Sequence, residues 1–285
     1  MIQWFSAPAK INLFLHILGQ REDGYHILQT AFQFLTLEDR IGLHLLDNGI
    51  RRTGDNKEIP EMDDLAVRAA LLLQQQGSIA RGVEIHIDKS IPIGAGLGGG
   101  SSDAATVLLA LNQLWELHWS LDKLAHLGLK LGADVPVFIH GRAAWAEGVG
   151  EQLTPIAPNT GWLLVIVPNV HIATAEVFGK STLTSKPMPI KIHGLQSSFG
   201  RNDLQAMVIA HYPQAAGVRT WLSAFGNARM SGSGGAFYVP VNNQQEGQRI
   251  RQQCPAAWSG FVVQTCNRHP LWKKLQAGYR YADGA

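Results

Sequence analysis

PIGAGLGGGSS, residues 92–102, is the stretch from which this chain is best read. Gly94, Gly96, Gly98, Gly99 and Gly100 leave backbone N–H groups uncovered by any Cβ, so an anion can approach closely. The run ends on Ser101-Ser102, followed by Asp103 and an Ala/Leu-rich stretch reaching about Leu117, which predicts a helix start. Unpaired N–H groups and the helix dipole at such a start favour phosphate.

Three nucleotide motifs compete for this loop. Gly94, Gly96 and Gly99 satisfy G-x-G-x-x-G, but a dinucleotide fold needs the helix to lead into a second parallel strand. Here a second helix, near Ser120–Leu131, follows almost at once, so that reading fails. A P-loop needs Gly-Lys-Ser/Thr, and Gly100 is followed directly by Ser101. The V-A-I-K, H-R-D and D-F-G elements of protein kinases are absent.

Working outward, Ile11–Leu18, Phe32–Leu37 and Ile41–Leu46 read as strands, with the polar turn GQREDGYH after the first. Asp64–Gln76 has helical spacing, and Val83–Asp88 alternates as a half-buried strand with His86 on its polar side. Polarity rises at Asn159-Thr160-Gly161, which puts a domain boundary near residue 157 and gives domains 1–157 and 158–285. Beyond it come a strand at Trp162–Val167, helices within 203–224, strands at 228–231 and 235–240, a helix at 243–253 and a strand at 260–265. That β-α-β-β-α-β order suits a ferredoxin-like α+β sandwich. Lys180–Gly200 reads as loop and short turns.

A chain of 285 residues favours two domains, and 46% hydrophobic with 16% charged residues describes an ordinary folded protein. The net charge of +2 gives no argument for nucleic acid or a membrane surface as partner. No apolar run has the roughly 18–20 residues of a membrane span, and the N-terminus lacks signal-peptide features. Cys254 and Cys266 are too few for a disulfide framework or a zinc site, so the expectation is a cytoplasmic protein.

Pro92, Gly96-Leu97-Gly98, Ser101-Ser102 and Ala104-Ala105 resemble the Pro-x-x-x-Gly-Leu-Gly-Ser-Ser-Ala-Ala signature of the GHMP kinases. SAPAKINLFLHILGQREDGYH (6–26), LGADVPVFIHGRAAWAEGVGE (131–151), Asn202-Asp203-Leu204 and MSGSGGAF (230–237) extend the resemblance over nearly the whole chain. Within the family they are similar to the branch whose acceptor is a cytidine-diphosphate-linked methylerythritol. The resemblance implies an α+β, two-domain GHMP architecture, with an N-terminal ribosomal-S5-like α/β domain and a C-terminal ferredoxin-like domain. It also implies ATP with Mg²⁺ and a small-molecule acceptor phosphorylated on an alcohol.

Site residues follow from the same resemblance. Asp134 is the base for the acceptor hydroxyl and Lys10 lies beside it; without the family they read as a turn aspartate and a surface lysine. Pro92, Ile93, Gly94, Ala95, Gly96, Leu97, Gly98, Gly99, Gly100, Ser101 and Ser102 hold phosphates. Leu65 and Lys89 lie toward adenine, where Asp64 stands in a position that often carries Asn. Asn12, Tyr25, His26, Phe32, Thr174 and Phe178 line the acceptor pocket, an aromatic pair and a histidine suiting a pyrimidine. Phe32, inside an apolar run, fits a core position as well. The metal ligands are open between Ser102 and Asp134. The oligomeric state is open too, and another GHMP acceptor such as homoserine, mevalonate or a sugar is the alternative.

Overall fold

A computed structural model of the chain describes residues 1–54, 59–180 and 200–275. The first part contains β1 (Gln3–Gln20), β2 (His26–Leu46), β3 (Ile50–Thr53), α1 (Leu65–Gly77), β4 (Gly82–Asp88), α2 (Gly99–Leu114) and α3 (Leu121–Leu129). α4 (Val135–His140), β5 (Ala144–Glu147) and β6 (Gln152–Pro155) close it. The second holds β7 (Trp162–Pro168), α5 (Thr174–Lys180), α6 (Gln205–His211), α7 (Pro213–Leu222), β8 (Arg229–Met230), β9 (Phe237–Val241), α8 (Gln244–Arg251), β10 (Trp258–Cys266) and α9 (Trp272–Leu275). The loop expected over Lys180–Gly200 lies almost wholly outside the described residues.

The two strands expected at Phe32–Leu37 and Ile41–Leu46 are one strand, β2. Each of the polar residues between them has a partner. Glu38 accepts from Ser6 Oγ at 3.0 Å, Asp39 is fully buried among donors, and Arg40 lies over the Trp4 ring. His86, expected in solvent, instead packs edge-on against Trp4 and contacts Thr53 Oγ1.

The helices start where side-chain caps allow. Asp64 Oδ1 accepts from Ala66 N–H at 2.9 Å at the head of α1, and Ser120 Oγ accepts from Lys123 N–H before α3. α2 is buried from Ser102 to Asn112, as a helix apolar on all sides must be. No strand intervenes between α2 and α3; Asn112 pins their turn by bonding both N–H and C=O of Trp119.

In the second part the strand order is β10-β7-β9-β8, every pair antiparallel. This is the sandwich order expected of β-α-β-β-α-β, and the architecture is α+β. The boundary expected at residue 157 falls between β6 and β7, and packing crosses it. β10 pairs with β2 at Thr265↔Leu35 and Cys266↔Phe34. β1 contributes Phe5 and Ala7 to the first core, Ile11 and Phe14 to a central cluster shared with Val165 and Val263, and Leu15 and Ile17 to the second core. Leu271 and Trp272 return to fill the first core. Among the described residues no helix is long and apolar enough to cross a membrane.

Candidate active site

β1 and β2 slip register between Pro8 and Lys10 and again between Asn12 and Leu15. Proline supplies no N–H to the ladder, and bulges of this kind re-aim side chains. Between the slips Lys10 and Asn12 face one another, and Lys10 Nζ donates to Asn12 Oδ1 at 2.6 Å. Asn12 Nδ2 in turn donates to Thr30 Oγ1 at 2.9 Å, and the Thr30 hydroxyl donates to the Phe14 carbonyl. Lys10 is 2% exposed, so it is an anchored cation rather than a surface lysine.

The second partner of Lys10 is Asp134, with Nζ to Oδ2 at 3.0 Å. Asp134 sits at the N-cap position of α4 yet makes no capping bond; its side chain is 32% exposed and turned to the ammonium. An ammonium carries three N–H donors, and the described residues take two of them. A half-open carboxylate beside an anchored cation can accept a proton from a bound hydroxyl while the third N–H meets an anion.

The glycine loop runs directly into this pair. Lys10 N–H donates to Leu97 C=O at 2.9 Å. A Cβ on Gly98, where φ is +74°, would lie 2.9 Å from Lys10 Cγ and 3.0 Å from Phe138 Cζ. One on Gly96 would meet the Ser231 carbonyl at 2.4 Å. Glycine is therefore required by both conformation and space at these two positions. Ser231 locks the contact: its hydroxyl donates to Gly96 C=O at 2.9 Å and accepts from Asn12 N–H at 3.3 Å. Asn202 holds the 231–235 loop by donating to the carbonyls of Met230 and Gly232.

The loop then enters α2 with Gly98 as N-cap. Ser102 Oγ, in the first turn, is buried with no partner among the described residues. An orphaned hydroxyl there fits a phosphate oxygen or its metal. Leu65, at the head of α1, lies against Gly100. Asp64 is spent twice, as the α1 cap and in a 2.6 Å pair with Arg52 Nη1.

Lys89 differs from expectation. Its ammonium is held by Asp39 Oδ2 at 2.5 Å and Asp103 Oδ2 at 2.8 Å. Burial penalises its charge, and the two carboxylates outweigh that and raise its pKa. Two close acceptors make Lys89 a structural tie under the loop.

Of the residues expected to line the acceptor pocket, Tyr25 is 63% exposed in the β1–β2 turn. His26 opens β2 with its ring 5.3 Å from that of Phe178, on α5. Burial lowers the His26 pKa, favouring the neutral imidazole, a donor and acceptor at once. Thr174 Oγ1 and Ser233 Oγ meet at 2.8 Å, joining α5 to the 231–235 loop. Phe32 takes its other reading: it is 2% exposed in the first core, its ring under Lys10 Nζ at 5.4 Å, and it offers no face for stacking. Sequence reasoning missed Thr30 and Tyr238, whose hydroxyl donates to Asn12 C=O, because neither carries a local signal. Ser231 was within reach, since it lies in the MSGSGGAF stretch.

The chain as a whole is similar to known proteins. Residues 64–142 match the GHMP kinases N terminal domain and residues 191–260 the GHMP kinases C terminal domain. A 4-diphosphocytidyl-2-C-methyl-D-erythritol kinase of Halorhodospira halophila is 50% identical, over 98% of this chain and 99% of that protein. The chain belongs to the GHMP kinases, in the branch of that enzyme. Another member, from Alkalilimnicola ehrlichii, is 51% identical over 97% of this chain and 96% of its own length. A crystal structure of a 4-(cytidine 5'-diphospho)-2C-methyl-D-erythritol kinase superposes with a TM-score of 0.81 at 33% identity, over 92% of this chain and 99% of the other. GHMP kinases further off share the fold alone: a Cytophaga hutchinsonii homoserine kinase gives a TM-score of 0.60 at 18% identity, over 94% of this chain and 95% of its own.

Proposed function

We propose that this GHMP kinase transfers the γ-phosphoryl group of ATP to the 2-hydroxyl of 4-diphosphocytidyl-2-C-methyl-D-erythritol. The observation that carries the chemistry is the Lys10–Asp134 pair, 3.0 Å apart at the end of the glycine loop. Backbone N–H groups of the loop and the first turn of α2 bind the triphosphate. Asp134 takes the proton of the acceptor hydroxyl. Lys10, held by Asn12, orients Asp134 and meets the charge on the transferring group. In a loose phosphoryl-transfer transition state, such positioning and charge stabilisation count for more than the strength of the base.

Mg²⁺ accompanies ATP in this reading and, when bound, would neutralise charge on the phosphates. Mg²⁺ needs only one or two protein ligands beside phosphates and waters. The half-exposed Asp134 carboxylate and the orphaned Ser102 hydroxyl fit that modest set. The acceptor's cytosine lies by His26, Tyr25 and Phe178, the first and last with rings 5.3 Å apart. Adenine lies by Leu65, with base recognition passing to backbone groups because the Asp64 side chain is engaged. The reading includes domains 1–157 and 158–285 and a cytoplasmic location, in keeping with the free thiols of Cys254 and Cys266.

A coupled ADP-release assay with a panel of acceptors tests the assignment. Turnover with the cytidyl-erythritol acceptor, and little with homoserine, mevalonate or galactose, is expected. Preference for any of the latter would move the chain to a different GHMP acceptor.

A further inference from the structure

Lys10 owes its place to a chain of side chains that ends away from the reacting groups. Lys10, Asn12 and Thr30 are all buried, so water is not at hand to replace a lost partner. The backbone of Asn12 is pinned from the second half of the molecule. Its N–H donates to Ser231 Oγ at 3.3 Å, and its C=O accepts from the Tyr238 hydroxyl at 3.0 Å. The freedom left to Asn12 is rotation of its side-chain amide, which decides whether Oδ1 or Nδ2 faces Lys10.

Thr30 settles that choice. It is fixed in β2, opposite Leu15 of β1 on one side and Ala146 of β5 on the other. Its hydroxyl carries one proton, and its oxygen can also accept. Phe14 lies in the register slip between Asn12 and Leu15, where a bulge leaves ladder groups unpaired, and its carbonyl can only accept. The Thr30 proton therefore goes to Phe14, and toward Asn12 the hydroxyl oxygen can only accept. That puts Nδ2 at Thr30, 2.9 Å away, and Oδ1 at Lys10, 2.6 Å away. All three donors then point one way along the chain, each polarising the next. A reversed amide would set an N–H donor against the ammonium, both buried and without an acceptor between them.

We propose that Thr30 is a positioning residue for phosphoryl transfer, holding the Asn12 amide in the one orientation that keeps Lys10 Nζ 3.0 Å from Asp134 Oδ2. The proposal rests on the reading of Lys10 and Asp134 as the reacting pair. Thr30 acts through Asn12 and not on the substrate. Without its hydroxyl, Asn12 Nδ2 loses an acceptor in a buried site, the amide turns, and Lys10 swings off Asp134.

Two substitutions separate the hydroxyl from the packing. Thr30→Val keeps the shape and removes the oxygen, whereas Thr30→Ser keeps the oxygen and removes a buried methyl. Coupled ADP-release kinetics with the cytidyl-erythritol acceptor and thermal unfolding are measured for both. Thr30→Val is expected to lose about 10–100-fold in kcat, as misplacement at a reacting centre does, with KM for ATP close to native. Thr30→Ser is expected to recover most of that kcat while unfolding at a lower temperature than the native protein, so that activity follows the hydroxyl and not stability. A Thr30→Val variant with native kcat overturns the proposal, as does a Thr30→Ser variant that loses as much as Thr30→Val. A crystal structure of Thr30→Val reads the geometry directly: Lys10 Nζ is expected to leave Asp134 Oδ2, and an unmoved pair overturns the proposal. Should Thr30→Val fail to fold, Thr30→Cys, whose sulfur is a weak acceptor, takes its place in both measurements. A native protein inactive on this acceptor sinks the substrate reading instead, and the crystal structure still decides on Thr30.

Discussion

At the scale of single residues, the account turns on anchored charge. Lys10 would be an unremarkable surface lysine if only its side-chain type were known; burial between Asn12 and Asp134 makes it a fixed one. Asp134→Asn is expected to lower kcat by roughly 10²–10⁴-fold, the usual worth of a positioned general base, with KM for ATP nearly unchanged; steady-state kinetics read both. His26→Ala is expected to raise KM for the cytidyl acceptor by roughly tenfold or more, as loss of one base-stacking contact does, and to leave KM for ATP alone. The family motifs point to Lys10, Asp134 and the loop glycines, and the structure brings Lys10, Asp134 and Gly98 together. Phe32 and Lys89 have types that suit both a ligand contact and the interior. Only the three-dimensional neighbours, a buried aromatic cluster and two carboxylates, decide between the two.

Asp103 bears on stability, and the sign follows from its pKa. The unfolded chain releases this proton near the ordinary carboxylate value of 3.8, whereas the folded state holds it up to about 8. Its contribution to stability is therefore full below pH 3.8 and is lost as pH rises through the folded value. Asp103→Asn is expected to gain stability relative to the native protein as pH rises from 5 to 8, measured by urea unfolding at each pH. A difference that stays constant over this range would contradict the burial of an ionisable group at that position.

At the scale of elements, the glycine loop is shaped by what its backbone touches. Gly98 has a left-handed φ and lies against Lys10 and Phe138, whereas Gly100 is helical and meets only Leu65 Cδ1 at an ordinary 3.5 Å. Gly98→Ala is accordingly expected to raise KM for ATP and lower kcat together, because its Cβ displaces Lys10. Gly100→Ala should lose far less in the same assay. Equal losses would mean that the loop is not packed as described. The sequence showed that glycines were dense here, but not which were obligatory: that depends on Ser231 and Lys10, remote in the chain. The fused β2 is a parallel case, its polar residues Glu38–Arg40 held by partners on β1 and at Lys89–Ile91.

At the scale of the whole molecule, the α+β class and the β-α-β-β-α-β order of the second part were legible from periodicity. The way the halves hold one another was not. β1 threads all three apolar clusters, β10 pairs with β2, and Trp272 closes the first core from the far end of the chain. Long-range pairing of this kind leaves no local pattern. A fragment of residues 1–157 is expected to show no cooperative thermal transition, since it lacks Leu271, Trp272 and the β10 pairing; a sharp calorimetric peak from it would contradict this. The site itself is built across the halves, with Lys10 and Asp134 from one and Ser231 and Asn202 from the other. Its chemistry is tested most directly by ³¹P NMR of the product formed from ATP and the cytidyl-erythritol acceptor. The account predicts one new phosphate monoester on the 2-hydroxyl, equal in amount to the ADP released and abolished by Asp134→Asn. ADP release without that monoester, or a monoester at another hydroxyl, would contradict it.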